Sequence, residues 1–331
     1  LYVPIDGPLV MFGATGRNFP HVEDYQRPIF VTVFDGGFDL DRQSKLFTDH
    51  VQAFMNEHGL TGMQIGLDRF SPITNQAILA KGLSIVDGEV LVEQAKLIKC
   101  AEEILCMQRS VAVAQHGMKQ MQEALQPGVT ENQLWSILHQ VNIAHGGGWL
   151  DGRMLASGER TNPWLQEATN KVICAGELVA FDTDMVGPNG YIADISRTWL
   201  CGDEPATRQQ KSAYQHAYDE IHFNIHLIKP GVSFQELSEG SFNRSDKYRN
   251  RRYPTVVHGV GLCDEYPKIY YQEDWHRDGY DGVVHENMVL CLESFSGAED
   301  EVEGVKLETQ VRVTAKGCEV MSDYAFEDRL L

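Results

Sequence analysis

Short apolar runs at 28 to 34 (PIFVTVF) and 63 to 67 (MQIGL) have the length and composition of strands, and the stretch between them, KLFTDHVQAFMNEHG, repeats its apolar positions at helical spacing. The front of the chain therefore predicts a small α/β domain. From about residue 88 the pattern lengthens into EVLVEQAKLIKCAEEILCMQRSVAVAQHGMKQMQEAL, an extended helical stretch. The change of period sets the expected boundary, with one domain over 1–87 and a larger one over 88–331.

The larger part repeats itself weakly. LQPGVTENQL (125–134) is echoed by IKPGVSFQEL (228–237), each a helix end, a Pro-Gly break, then Thr or Ser followed three residues later by Gln or Glu, the spacing of a capping box. Downstream of the first echo the apolar run LVAF leads into Asp182, and downstream of the second MVLCL leads into Glu293. Each is followed by a second acid in strand-like sequence, Asp194 in GYIADISRTW and Glu308 in GVKLETQVRV. Two matching halves predict an α+β architecture with a pseudo-twofold arrangement of helices over a curved antiparallel sheet, which would bring the four acids to one central site.

Composition narrows the chemistry. The 331 residues carry 28 Lys and Arg against 47 Asp and Glu, a net charge of −19 that would repel a phosphate backbone or an anionic membrane surface. Nucleic acid and membrane are thus excluded as expected partners, and a small molecule is favoured. The seven cysteines form no CxxC pair, which excludes a zinc finger and fits reduced thiols in the cytoplasm. No apolar run approaches a membrane span and no signal peptide opens the chain. The first residue is Leu rather than Met, so the front domain is expected to be incomplete.

The segment FDTDMVGPNGYIAD (181–194) places three acids close together. In a strand, residues two apart share a face, so Asp182 and Asp184 are expected to point the same way, and the GPNG turn returns the chain to add Asp194. Carboxylates that close raise one another's pKa unless a cation lies between them. Taken singly, a DxD beside a turn is an ordinary solvated loop and a His before Gly an ordinary structural residue. Several carboxylates with one imidazole, His258 of VVHGVG, make the donor set of a hard to borderline divalent metal.

The order Asp182, Asp194, His258, Glu293, Glu308 resembles the metal-ligand set of the methionine aminopeptidase, prolidase and creatinase superfamily, with its pita-bread fold. The resemblance spans roughly 90–322 and makes the front domain the counterpart of the creatinase and prolidase N-terminal domain. Three departures stand out. Asp184 occupies the place of a family glycine and adds a sixth candidate ligand; SGERTNPWLQ offers Trp164 and no His; HGVGLCDEYP has Asp264 and Glu265 where a second His is expected. Both histidines that handle a scissile amide in the peptidases are missing.

With these departures the chain resembles the dimethylsulfoniopropionate lyase branch of the superfamily, the DddP type, through FDTDMVGPNGYIADISRTW and HGVGLCDEYPKI. That resemblance implies cleavage of dimethylsulfoniopropionate to dimethyl sulfide and acrylate, two divalent metal ions (iron first, with Mn, Co or Zn as alternatives) and a homodimer. It also implies Asp264 as the base and Tyr253 as a substrate-contacting residue. Trp164 is our own further candidate, as an aromatic face for the sulfonium. The competing expectations are an Xaa-Pro dipeptidase-like metallohydrolase and a non-catalytic pita-bread binding module.

Overall fold

The computed structural model describes residues 2–4, 9–12, 22–26, 29–68 and 70–331. The chain divides into two compact units, Leu1–Gln94 and Ala95–Leu331.

In the first unit two short parallel strand pairs form, Leu9–Phe12 with Val22–Gln26 and Ile65–Leu67 with Ile85–Asp87. Helix Leu40–Glu57 starts where the Asp39 side chain accepts from Arg42 N, and it turns Val51, Phe54 and Met55 inward. The expected helix and the strand in MQIGL are both present. The expected strand at 28–34 is not: residue 28 lies outside the described residues, and Val33–Gly36 is a helical turn. Local chemistry decides that segment, because Thr32 Oγ1 accepts from Asp35 N at 3.1 Å and so caps a turn where a strand was expected.

The second unit is built twice. Helices Ala101–Ala124 and Glu131–Ala144 cover a three-stranded antiparallel sheet of Leu155–Ser157, Leu178–Asp182 and Ser196–Leu200, with Leu178–Asp182 in the middle. Met118, Trp135, Leu138, Phe181 and Trp199 share the core between these layers. Gly117 lets the two helices approach, since a Cβ there would lie 2.6 Å from Leu138 Cδ1. Helices Arg208–Ile225 and Phe234–Gly240 belong to a second sheet of five antiparallel strands, ordered Asp264–Tyr270, Thr255–Val260, Val289–Ser296, Val305–Thr314, Gly317–Val320. Tyr214, Ile221, Phe234, Leu290, Leu292 and Leu307 fill that second core. Each fully buried Leu or Phe contributes about 2 kcal/mol.

The internal echo is physical. Thr130 and Gln133, and Ser233 and Glu236, form reciprocal capping boxes. Each capping residue also makes an isolated antiparallel bridge, Thr130 to Val172 and Ser233 to Val283. From each bridge the chain passes through one residue of positive φ, Gly176 at 81° or Asn287 at 67°, and enters the strand that carries Asp182 or Glu293. KVICAGELVAFD and GVVHENMVLCLE are thus the same structural segment used twice.

The two sheets meet along Ser196–Leu200 and Val305–Thr314 through side chains. Thr198 Oγ1 donates to Lys306 O at 2.8 Å and accepts from Lys306 N at 3.0 Å. Arg197 Nη1 donates to Glu308 O at 2.7 Å. No helix among the described residues is long and apolar enough to cross a membrane, and all seven cysteines are free thiols.

Candidate metal centre

The strand ends and the seam between the sheets bring the predicted acids together. Ligand atoms of Asp182, Asp184 and Asp194 lie within 4.8 Å of one another, as do those of Asp182, Glu293 and Glu308, and those of Asp194, His258, Cys291 and Glu308. Asp182, Asp194, Glu293 and Glu308 are each at most 5% exposed. The six residues singled out from the sequence therefore form one connected cluster.

Different elements aim them. Asp182 closes its strand, and Thr183 ties the returning hairpin to it: Thr183 Oγ1 donates to Ala193 O at 2.8 Å and accepts from Ile195 N at 2.9 Å. That clamp sets Asp194 opposite Asp182. Asp184 reaches the cluster by a route other than the one expected, because its φ is 36°, in the left-handed region, and the strand has ended before it. A local twist and not strand alternation turns it inward. Glu293 and Glu308 are direct register partners on adjacent antiparallel strands, and His258 pairs with Cys291 one strand over. Three of these side chains are thereby fixed by the pleat.

The imidazole is oriented for a cation. His258 Nδ1 lies 3.0 Å from Gly259 O, which can only accept, so Nδ1 carries a proton and Nε2 faces the acids. Nε2 is 2.9 Å from Glu293 Oε1, 3.3 Å from Glu308 Oε1 and 3.5 Å from Asp194 Oδ2. Burial works against a charged imidazole, but Glu293 and Glu308 outweigh it and raise the His258 pKa well above its ordinary value.

The acids show the same imbalance. Burial, then the charges of Asp182 and Glu308, push Asp184 up to about 9. Burial and Glu308 raise Asp182, and burial with Glu308 and Asp182 raises Asp194 well above the carboxylate range. Asp182 Oδ1 and Asp194 Oδ1 are buried without a hydrogen-bond partner, and Glu293 Oε1 and Glu308 Oε1 are buried with only His258 Nε2 facing them. Four such oxygens around one point are costly unless cations accept them. The donor set fits divalent metal, with five carboxylates and one imidazole.

Two neighbours escaped the sequence reading. Lys306 Nζ, wholly buried, lies 2.8 Å from Asp182 Oδ2, 2.8 Å from Glu293 Oε2 and 2.7 Å from Glu308 Oε2. The signal available was its position two residues before Glu308, on the same strand face. Cys291 is the other; its Sγ donates weakly to Asp194 O at 3.9 Å, and burial followed by Asp194 holds the thiol far above its usual pKa, so it stays protonated.

Asp264 opens the edge strand next to His258, with Oδ1 4.0 Å from His258 Nδ1 and the side chain 64% exposed. Desolvation on its inner side raises its carboxyl, His258 opposes this, and Glu308 and Glu293 add to it. Its neighbour Glu265 is an anchor: Lys99 Nζ donates to it at 2.8 Å and Leu262 N at 2.8 Å, fixing the turn that presents Asp264. Trp164, Phe295 and Tyr253, with Met154 packed against them, form an apolar wall beside the cluster. Lys306 Nζ stands 4.7 Å from the Tyr253 ring centroid, so that face already has a cation.

The model of metallopeptidase family M24 matches residues 105–315. The chain belongs to this family. Across its whole length this M24 chain is 36% identical to dimethylsulfoniopropionate lyase DddP of Roseovarius nubinhibens, covering 76% of that protein. It is 33% identical to the DddP lyase of Roseobacter denitrificans over 98% of the chain and 75% of the relative. Kinship with the lyase branch is thus not confined to the M24 region. Among solved structures, an Xaa-Pro dipeptidase from Bacillus anthracis superimposes with a TM-score of 0.74 over 85% of this chain and 77% of that one, at 22% identity. That likeness places the pita-bread fold.

Proposed function

We propose that this M24 chain is a metal-dependent lyase that cleaves dimethylsulfoniopropionate to dimethyl sulfide and acrylate. The observation that carries the reading is the pairing of a cluster of six metal-ligand candidates with one further carboxylate, Asp264, on its solvent side. The DddP relatives give the substrate class. Missing amide-handling histidines, with Trp164 packed on Phe295 in that region, speak against a peptidase.

Asp182, Asp184, Asp194, His258, Glu293 and Glu308 would hold two divalent ions, which supply Lewis acidity toward the substrate carboxylate and stabilise charge developing beside it. Asp264 removes a proton from the carbon next to that carboxylate. The C–H electron pair becomes the second bond of acrylate, the C–S bond breaks, and its pair leaves on sulfur as neutral dimethyl sulfide. Protonated Asp264 then returns the proton to water. Tyr253 keeps its phenol proton, since burial and Glu293 raise its pKa, and it contacts substrate as a neutral donor, with Trp164 extending the apolar wall for the methyl groups. Iron is the first metal to test, ahead of Mn, Co and Zn. A homodimer in a reducing cytoplasm completes the reading.

Headspace gas chromatography of iron-reconstituted protein with dimethylsulfoniopropionate tests this directly. Dimethyl sulfide should appear, and should vanish in Asp264→Asn. Release of amino acids from Ala-Pro without any dimethyl sulfide would replace the lyase by the dipeptidase; bound metal with neither activity would leave a binding module.

A further inference from the structure

Lys306 sits on strand Val305–Thr314 with no solvent exposure of its side chain. An ammonium has three protons, and four oxygens surround this one: Asp182 Oδ2, Glu293 Oε2, Glu308 Oε2 and Ser196 Oγ, all between 2.7 and 2.8 Å. No donor is left over for a substrate carboxylate. From each of three acids Lys306 takes one oxygen; of the other oxygens, Asp182 Oδ1 is buried and unpartnered, and Glu293 Oε1 and Glu308 Oε1 are buried with His258 Nε2 facing them. An apolar side chain would fill the space without the several kcal/mol that burying an ammonium costs. The charge itself must be what the position requires.

We propose that Lys306 is a fixed counter-cation built into the metal centre. It holds one oxygen of Asp182, Glu293 and Glu308, leaves the other oxygen of each for metal, and offsets the repulsion among five carboxylates so that the metal-free protein stays folded. It is a positioning residue, since it meets no reacting atom. The inference rests on the metal-site part of the function proposed above and is independent of the substrate.

The test compares thermal midpoints of chelator-stripped and metal-loaded protein, with metal content by elemental analysis, for wild type, Lys306→Met and the double variant Lys306→Met with Glu293→Gln. Lys306→Met should lower the metal-free midpoint by roughly 5 to 15 °C and the metal-loaded midpoint by clearly less. Removing one negative charge as well should recover at least half of the metal-free loss, a coupling read as a double-mutant cycle. Equal drops in both states would make Lys306 a packing residue, and no drop, or no recovery in the double variant, would also overturn the proposal. If Lys306→Met is insoluble, a soluble double variant supports it and an insoluble one overturns it. Wild-type protein that binds no metal after reconstitution would overturn the metal reading beneath it.

Discussion

In the half built on Leu178–Asp182 the acids sit at a strand end and in the hairpin beyond it, whereas in the half built on Val289–Ser296 they sit in mid-ladder, Glu293 facing Glu308. The ladder half needs nothing but the pleat to aim its side chains. The hairpin half depends on the Thr183 clamp and on Asp184 at φ 36°, a backbone state that costs a non-glycine residue about 1 kcal/mol. Duplicated architecture has thus been spent in two ways, one half giving rigidity and the other room for an added acid.

The largest contrast should come from Asp264, which opens the edge strand of the ladder half and stands on the open side of the cluster. Asp264→Asn is expected to lower kcat by about 10²- to 10⁴-fold with metal content and thermal midpoint unchanged; metal lost alongside activity would make Asp264 a ligand. Next, Glu308→Ala should remove metal from both positions, while Asp184→Ala should reduce occupancy only in part. Elemental analysis after dialysis against limiting metal separates them, and full occupancy in Asp184→Ala would remove it from the ligand set.

A finer probe uses two threonines. Thr183→Val strips both bonds of the hairpin clamp and should cost about 1 to 3 kcal/mol, seen as a midpoint several degrees lower. Thr309 in the ladder half is 3% exposed and its hydroxyl has no partner, so Thr309→Val should leave stability equal or higher. Matching losses would erase the distinction between the halves.

The last probe is pH. His216, on the helix over the ladder half, bonds Ser296 Oγ at 2.8 Å through Nδ1, and burial, then Arg244, lower its pKa from 6.5 to about 3. Its neutral form is the folded form. The unfolded chain takes up the proton first as pH falls, so stability declines from about 6.5 down to about 3 and is level above. The midpoint of His216→Gln should fall less steeply over that window than wild type.

Strand-borne Asp182, His258, Glu293 and Glu308 were legible because each ends or interrupts an apolar run, as was Asp194 between its two short strands, and the capping boxes because their spacing is a local rule. Lys306 was not legible: one basic residue in an alternating strand reads as a position facing water, and only the second sheet behind it makes that face an interior. Asp184 was found for the wrong reason, since a backbone twist does not show in a periodicity. At 28–34 an apolar run overstated the case for a strand, and Thr32 with Asp35 decided the turn. The repeat KVICAGELVAFD and GVVHENMVLCLE shares few identities because what recurs is burial and one left-handed residue.

The exposure of Asp264 has a consequence in isotopes. A base whose side chain is 64% open to water exchanges its captured hydrogen with the bulk faster than a sealed one could. On the reading proposed here, deuterium placed beside the substrate carboxylate is released to solvent, and substrate recovered from heavy water carries label only when proton removal reverses before the C–S bond breaks. The openness of one carboxylate thereby makes the order of bond cleavage readable from unreacted material.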